Sequence, residues 1–227
     1  MSTFWLKMIA IVTMAVDHIG AVFFPQYSIL RIVGRIAFPI FAFLLVEGMA
    51  RTKSLEKYLG RMLLFAVISE LPFDLAFWGE TLHLAHQNVM WTFSLALAAV
   101  YLYRKLPAER QHGFTFWGLS LLCACAASYL QTDYGAWGVI WVMSFYYYRN
   151  QPMQKYALAG LLLIAYGMTY TLLSGRFFWG QYIECAAALS FLPLQLFNGK
   201  KGPALKYFFY AFYPAHLLLL WLCVQML

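Results

Sequence analysis

The sequence predicts an all-α integral membrane protein, a polytopic bundle of about nine transmembrane helices that form one domain over residues 1–227. The first observation is composition: 63% of the residues are hydrophobic and 11% are charged, whereas soluble domains carry about 25% charged residues. The second is length, because nine spanning helices of about 20 residues each would use most of the chain. The third is the placement of Lys and Arg in alternate connections, which is typical of membrane proteins.

Apolar runs separated by polar or turn-forming residues define the predicted helices in order. The first run contains Asp17 and His18 and is not followed by a small-residue cleavage site, so we interpret it as a retained helix rather than a signal peptide. The fifth and sixth runs are nearly continuous, and we expect a turn at 132–135 between them. The predicted helices cover about residues 4–24, 28–50, 61–79, 88–104, 114–131, 132–148, 155–174, 178–198 and 205–226.

The distribution of Lys and Arg predicts the orientation of these helices. The connections after helices 1, 3, 5 and 7 contain one basic residue, Arg176. The positive-inside rule therefore places the N-terminus in the cytoplasm and the C-terminus outside, in a bacterial cytoplasmic (inner) membrane. The net charge of +7 then reports orientation and does not indicate nucleic-acid binding. The basic residues in or beside the even-numbered connections are Arg51, Lys53, Lys57, Arg61, Arg104, Lys105, Arg110, Arg149, Lys155, Lys200, Lys201 and Lys206.

Ionisable residues inside the apolar runs are the main functional signal. A charge at the centre of a spanning helix costs roughly 2.5–3.5 kcal/mol on insertion scales, so such residues usually face the protein interior and serve a function. In the predicted orientation almost all of them fall in the outer half of the bilayer, whereas Glu47 lies near the inner end of helix 2. We therefore expect an outward-facing buried reaction site that includes Asp17, His18, Arg31, Arg35, Glu70, Asp74, Glu184 and His216.

The charged pairs allow two interpretations. Arg31 and Arg35 are four residues apart and share one helix face, which suits an acidic ligand, although Arg31 could instead extend to the outer head groups. Glu70 and Asp74 have the same spacing and flank Pro72, where a kink is expected. These two carboxylates could act in the site, or they could neutralise the arginines in a buried ion-pair network.

His18 is the predicted general base, because histidine titrates near neutral pH and this residue lies at the depth of the arginines. His216 is a second candidate, whereas His83, His86 and His112 lie in loops and are interpreted as solvated. A metal site built from His18, His216 and a carboxylate is possible on ligand type. No metal-binding spacing supports it, so no metal is expected.

Further polar residues are candidates for ligand binding. On the cytoplasmic side, the basic run at 199–203 could contact nucleotide phosphates, or it could be plain positive-inside charge. The residues assigned to nucleotide binding are Lys200, Lys201 and Arg51. Those assigned to substrate binding on the outer side are Asn88, Asp133, Tyr134 and Glu184.

Five motifs distributed along the chain form a recognisable combination: 17–20 (DHIG), 31–41 (RIVGRIAFPIF) running on to 47–48 (EG), 69–74 (SELPFD), 133–135 (DYG) and 213–216 (YPAH). Together they resemble the TraX family, and the resemblance covers the whole chain. It implies acetylation of the pilin N-terminus in F-type conjugation systems, with acetyl-CoA as the donor. It also implies a distant relation to transmembrane acyltransferases, which use a membrane-embedded histidine.

The resemblance implies that the single domain is acyltransferase-like and works with acetyl-CoA, membrane lipid and an extracytoplasmic acceptor. Acetyl-CoA would dock at the cytoplasmic face, His18 would act as base, and Arg35 with Asn88 would stabilise the oxyanion. The acceptor stays open between a pilin N-terminal amine and a hydroxyl or amine of a surface glycan. The alternatives are a transporter or flippase of an acidic or lipid-linked solute, for which no internal repeat is visible, and a non-catalytic scaffold.

Overall fold

The computed structural model describes residues 1–174, 179–203 and 206–226, and the regular structure of these ranges is helical. Two 3₁₀ segments, Ala108–Arg110 and Trp179–Ser190, accompany the α-helices. The α-helices are α1 Thr3–Phe23, α2 Ser28–Gly34, α3 Ala37–Arg51, α4 Leu55–Trp78, α5 Val89–Lys105, α6 Gly113–Tyr129, α7 Gly135–Tyr147, α8 Pro152–Ser174, α9 Phe191–Gln195 and α10 Lys206–Gln225. The all-α prediction is therefore confirmed for the described part of the chain.

The chain folds into two compact units. The first unit comprises residues 1–44 and 150–227, and the second comprises residues 45–149. In the first unit α1 packs against α2 and α10, and α8 packs against the 3₁₀ segment Trp179–Ser190. In the second unit α5 packs against α4, α6 and α7, around side chains such as Leu97, Phe116 and Phe145 that are fully buried. The expectation of a single domain stays a prediction.

Three helical stretches of the described residues are long and apolar enough to cross a membrane. They are Thr3–Phe23, Ser28–Arg51 and Tyr207–Gln225. By contrast, α5, α6 and α7 contain 17, 17 and 13 residues, fewer than the roughly 20 of an ordinary span. The count of nine spans and their orientation therefore stay predictions.

The fifth and sixth predicted helices are separate in the structure, as predicted. α6 ends at Tyr129, and positive φ angles follow at Gln131 (52°) and Tyr134 (62°) in the connection and at Gly135 (45°), the first residue of α7. Left-handed residues of this kind end a helix because they cannot continue its hydrogen bonding. The predicted turn at 132–135 lies between the two helices.

The second predicted helix, 28–50, corresponds to the helical stretch Ser28–Arg51, but that stretch is interrupted at residues 35–36. α2 ends at Gly34 and α3 begins at Ala37. Pro39 explains the break. It has no N–H to donate to the carbonyl of Arg35, four residues earlier, and its ring crowds that carbonyl. Proline is tolerated in the first turn of a helix, so a new helix begins just before it.

The eighth predicted helix, 178–198, is not one α-helix in the structure. Residues 179–190 form a 3₁₀ segment, and the short α9 follows it. A 3₁₀ segment rises about 2.0 Å per residue and an α-helix about 1.5 Å, so the same residues reach further along their axis. Two side chains tie this segment to other parts of the first unit. Glu184 accepts a hydrogen bond from Arg35, and the Cys185 Sγ lies 4.0 Å from the carbonyl oxygen of Leu163.

Candidate functional site

A pair of histidines joins α1 to α10 in the first unit. The Nδ1 of His18 lies 2.7 Å from the Nε2 of His216, and the two ring planes are within 10° of parallel with centroids 5.0 Å apart. The Nδ1 of His216 lies 2.8 Å from the carbonyl oxygen of Phe212, one turn earlier on α10. The rings of Phe212 and Tyr213 also contact His216, with centroids 4.9 Å and 5.7 Å away.

These contacts fix the tautomers of the neutral pair. A carbonyl oxygen only accepts hydrogen bonds, so His216 must carry its hydrogen on Nδ1 and keep a lone pair on Nε2. The Nδ1–H of His18 then donates to the Nε2 of His216. In this arrangement the Nε2 of His18 carries a lone pair and is the nitrogen able to accept a proton.

Beside His18, Asp17 is the centre of a charged network. Its two carboxylate oxygens accept hydrogen bonds from the Nη1 of Arg31, at 2.5 Å, and from the Nη2 of Arg35, at 2.9 Å. The Nη1 of Arg35 also donates to Glu184, at 2.7 Å. Two guanidinium groups thus face two carboxylates, and the side chain of Arg35 is only 10% exposed. Such mutual compensation is what allows ionised groups to be buried.

Gly34 allows this network to form. A Cβ atom at position 34 would overlap the carboxylate and Cβ of Asp17, and one at Gly20 would lie 2.6 Å from the Cβ of Leu30. Two glycines therefore permit the close approach of α1 and α2. Arg31 and Arg35 reach Asp17 together, which confirms that they share one face. We call Asp17, His18, Arg31, Arg35, Glu184 and His216 the histidine–arginine cluster.

A second polar group, in the second unit, is built around Glu70 on α4. The Oε2 of Glu70 accepts hydrogen bonds from the Nδ2 of Asn88 and the Nε1 of Trp91, both at 2.6 Å. Asn88 is fully buried, also donates to the carbonyl oxygen of Ala66, and caps α5 by accepting from the backbone N–H of Met90. The donors to Glu70 are thus neutral. We call Glu70, Asn88 and Trp91 the Glu70 cluster.

Asp74, one turn beyond Glu70, is fully buried and contacts the loop that follows α4. Its Oδ2 accepts a hydrogen bond from the backbone N–H of His83 at 2.9 Å. The ring of His83 stacks on Trp78 with centroids 4.2 Å apart. His83 thus lies in a loop, as predicted, and its partly exposed ring packs on Trp78.

Asp133 and Tyr134 lie in the connection before α7, where Asp133 faces His86. The Nε2 of His86 lies 3.8 Å from the Oδ1 of Asp133, and the backbone N–H of Tyr134 donates to that same oxygen. The interaction with Asp133 raises the pKa of His86 above its usual value of 6.5, partly offset by burial. Thr92 ties this connection to α5 by donating to the carbonyl oxygen of Asp133. His86 is thus also more than a solvated loop residue.

The two clusters account for most of the residues that the sequence singles out. In the first unit the structure brings together all six members of the histidine–arginine cluster, in which Glu184 accepts from Arg35. The assignment of Glu184 to substrate binding stays a prediction. The carboxylates that pair with Arg31 and Arg35 in this unit are Asp17 and Glu184. One interpretation of the sequence assigns this pairing to Glu70 and Asp74 instead. Convergence of both clusters in one site stays a prediction.

The basic residues assigned to nucleotide binding lie in different surroundings. Lys200 and Lys201 are exposed, and their carbonyl oxygens accept from the backbone N–H groups of Thr3 and Phe4 at the start of α1. Arg51 instead donates to Glu47 at 2.7 Å in the second unit. In residues 1–174, 179–203 and 206–226 no group of three or more His, Cys, Asp or Glu side chains could hold a metal ion. The expectation that no metal is needed stays a prediction.

Over the residues that the structure describes, fold and site define a class: a helical protein with three helices long and apolar enough to span a membrane, and a half-buried cluster of histidines and paired charges. Comparison with known proteins then gives the family, because the family model described as "TraX protein" matches residues 2–224. The chain belongs to the TraX family. This confirms the resemblance that its sequence motifs indicate.

Two relatives were found among known proteins. The chain is 32% identical to the "Probable fimbrial assembly protein FimC, serogroup H1" of Dichelobacter nodosus, over 96% of this chain and 94% of that protein. It is 50% identical to an uncharacterized protein of Rickettsia prowazekii (strain Madrid E) over 38 residues, 17% of this chain and 15% of that protein. No solved structure matches the chain significantly.

Proposed function

We propose that this protein is a membrane-embedded acetyltransferase with a pilus-related function. It moves an acetyl group from cytoplasmic acetyl-CoA to an extracytoplasmic acceptor, either a pilin N-terminal amine or a hydroxyl or amine of a surface glycan. Membership of the TraX family and the fimbrial assembly name of the Dichelobacter nodosus relative support the pilus-related part. The helices long and apolar enough to cross a bilayer support a location in the bacterial cytoplasmic membrane.

One observation carries the chemical part: the 2.7 Å contact between the Nδ1 of His18 and the Nε2 of His216. Because His216 is itself fixed by the carbonyl of Phe212, it orients His18 and keeps a hydrogen on its Nδ1. A neutral imidazole oriented in this way is suited to general-base catalysis, with the lone pair on Nε2 as the proton acceptor. His18 is the proposed catalytic residue, and His216 is the proposed positioning residue.

The reaction assigned to His18 is a simple acyl transfer. The Nε2 of His18 takes a proton from the acceptor amine or hydroxyl as that nitrogen or oxygen attacks the thioester carbonyl carbon. When the C–S bond breaks, the leaving thiolate takes the proton from the imidazolium, which yields free coenzyme A and restores neutral His18. No net oxidation or reduction occurs, and no further reactant is required.

The charged members of the cluster are assigned to electrostatics and positioning. Asp17 and Glu184 hold the guanidinium of Arg35 in a mostly buried position. Asp17 directly precedes His18 in the chain, so it links the arginine to the proposed base. A fixed positive charge of this kind stabilises the oxyanion that forms during acyl transfer, because it does not need to reorient. Arg31 shares Asp17 and supports the same arrangement.

The Glu70 cluster and its neighbours are assigned to acceptor binding and local positioning. Asn88 is both the N-cap of α5 and a partner of Glu70, so Glu70 fixes the start of that helix. Asp74, Asp133 and Tyr134 lie near the ends of α4 and α7, which the predicted topology places towards the outer side. On the other side, exposed Lys200 and Lys201 are assigned to the phosphates of acetyl-CoA, as is Arg51.

The experiment that tests the proposal follows release of coenzyme A from acetyl-CoA labelled on its acetyl group, with protein purified in detergent. The decisive variant is His18→Asn, because the Asn amide can still donate to His216 from near the position of Nδ1 but provides no base. We expect wild-type release and a loss of about 10²–10⁴-fold in the variant, the usual contribution of a general base. His112→Asn, a control in an exposed loop, should retain the wild-type rate.

The other outcomes are equally informative. Wild-type binding of acetyl-CoA without release would mean that the acceptor is obligatory, and the assay would be repeated with pilin and glycan acceptors. Neither binding nor release by folded wild-type protein would contradict the acetyltransferase and favour the transporter interpretation. Equal release by wild type and His18→Asn would remove His18 from the chemistry.

A further inference from the structure

Three arginines gather at the ends of helices in the second unit, away from the histidine–arginine cluster along the chain. Arg51 is the last residue of α3, Arg104 lies in the last turn of α5, and Arg149 follows the end of α7 by two residues. With Glu47 and Tyr146 they form what we call the arginine cluster. Helix C-termini attract cations. In this cluster the arginines also make specific hydrogen bonds to side chains.

Glu47 is the anchor of the arginine cluster. Its side chain is 11% exposed, and its two oxygens accept from the Nη2 of Arg51 at 2.7 Å and from the Nε of Arg149 at 2.9 Å. Arg149 is more than a hundred residues away from Glu47 along the chain, so this contact depends on tertiary packing. A buried carboxylate held by two guanidinium groups gives both of them defined positions.

Arg104 is fixed by a different set of contacts. Its Nε donates to the hydroxyl of Tyr146 at 2.9 Å, its Nη1 lies 3.4 Å from the carbonyl oxygen of Met49, and its guanidinium lies 5.5 Å from the centroid of the Tyr146 ring. The hydroxyl of Tyr146 accepts from Arg104 and therefore still has its own hydrogen to donate. The side chains of Arg104 and Tyr146, both with donor groups, therefore lie next to each other.

The arginine cluster has an excess of positive charge and unused donors. In these contacts three guanidinium groups accompany one carboxylate, so positive charge exceeds negative charge. In the described part of the chain, the Nη1 and Nη2 groups of Arg149 and the Nη2 of Arg104 have no hydrogen-bond partner. The side chain of Arg149 is 37% exposed, so these groups can reach a ligand.

We propose that the arginine cluster binds a phosphate group, with Arg104 and Arg149 as its principal ligands and Tyr146 as a further donor. Guanidinium groups match phosphate oxygens with parallel N–H donors, and the negative charge of a phosphate balances the positive excess of the cluster. Two sources have this chemistry: a phosphate of coenzyme A and the head group of an anionic phospholipid. Only the first source depends on the proposed function.

The test measures binding without an acceptor and without turnover. In one arm, titration calorimetry compares coenzyme A with 3′-dephospho-coenzyme A in neutral detergent. In the other, native mass spectrometry counts phosphatidylglycerol retained from nanodiscs of phosphatidylcholine with and without phosphatidylglycerol. The variants are Arg104→Gln and Arg149→Gln, with Arg110→Gln as a control of equal charge change in the exposed 3₁₀ segment Ala108–Arg110.

We expect Arg104→Gln and Arg149→Gln to weaken one of the two probes about tenfold, the effect of losing a charge-assisted hydrogen bond, while Arg110→Gln binds normally. Arg149→Lys keeps the charge but loses the guanidinium geometry, so it should lie between wild type and Arg149→Gln. This variant keeps a cation beside Glu47 and therefore protects the test against a simple failure to fold.

The pattern of loss identifies the source of the phosphate. Loss confined to coenzyme A assigns the site to the donor, and loss confined to phosphatidylglycerol assigns it to lipid. Wild-type binding of both probes by folded Arg104→Gln and Arg149→Gln would overturn the proposal, as would an equal loss in Arg110→Gln. Because these results do not require acetyl release, they are independent of the outcome for His18→Asn.

Discussion

The histidine–arginine cluster and the Glu70 cluster solve the same problem, a carboxylate inside an apolar helix, in opposite ways. Asp17 faces the cations Arg31 and Arg35, whereas Glu70 accepts from the amide of Asn88 and the indole of Trp91. A charged partner compensates a buried charge more strongly than a neutral donor does. The first arrangement therefore depends on ionised groups, and the second depends mainly on shape and hydrogen bonding.

This difference suggests different tasks. In the first cluster the charges are already balanced, so the groups able to exchange a proton are the two histidines. In the second cluster each contact also fixes the backbone, since Asn88 bonds the carbonyl of Ala66 and caps α5. We assign the chemistry to the first cluster and the positioning of α4 and α5 to the second.

The largest expected effect on stability comes from breaking the charge balance of the first cluster. Arg35→Gln removes the buried cation that Asp17 and Glu184 share, although Asp17 keeps its ion pair with Arg31. Breaking a buried ion pair of this type costs about 3–5 kcal/mol. Arg31→Gln removes the same charge from a side chain that is 35% exposed, so solvent limits its cost to about 1 kcal/mol. Thermal unfolding of both variants in detergent checks this order. Equal loss in the two variants would show that burial of Arg35 is not what matters.

A smaller effect is expected for Glu70→Gln. The amide oxygen of Gln can still accept from Asn88 and Trp91, so only the added strength of a charged acceptor is lost, about 1 kcal/mol. The same unfolding measurement compares this variant with Arg35→Gln. A loss as large as that of Arg35→Gln would mean that Glu70 compensates a cation, and the contrast between the clusters would fail.

The smallest effect is the pH dependence of the pair formed by His86 and Asp133. Asp133 raises the pKa of His86, and the charge of Glu70 adds to this. The stabilisation is therefore fully present below the usual histidine pKa of 6.5 and is lost as the pH rises through the higher pKa of the folded state. The wild type should exceed His86→Gln in thermal midpoint at acidic pH, and this difference should decrease towards alkaline pH. A difference that grows with pH would contradict the assignment.

The sequence predicts where helices lie better than where they begin or break. Apolar runs locate all the described helices, but α4 begins at Leu55 rather than near residue 61, because Ser54 caps it by accepting from the N–H of Lys57. The break before α3 has its cause in Pro39. Both signals are present in the sequence, and polar caps and prolines should be read together with hydropathy.

The partners of the site residues were harder to predict. The spacing of Arg31 and Arg35 gives their common face, but it does not give the side chains opposite that face. The pairing of Arg35 with Glu184 depends on how residues 179–190 pack in the first unit, and that of Glu70 with Trp91 depends on the approach of α4 to α5. Such contacts join residues that are distant in sequence, so helical periodicity does not contain them.

His18 is the proposed reactive base and His216 the residue that orients it, and two substitutions of His216 separate orientation from mere space filling. Gln at 216 places an amide oxygen near the position of Nε2 and can accept from His18, whereas Phe at 216 fills a similar volume and accepts nothing. With the release of coenzyme A from labelled acetyl-CoA as the readout, we expect His216→Gln to stay within about tenfold of wild type and His216→Phe to lose about 10²-fold or more. Equal rates in these two variants, both folded, would contradict this assignment.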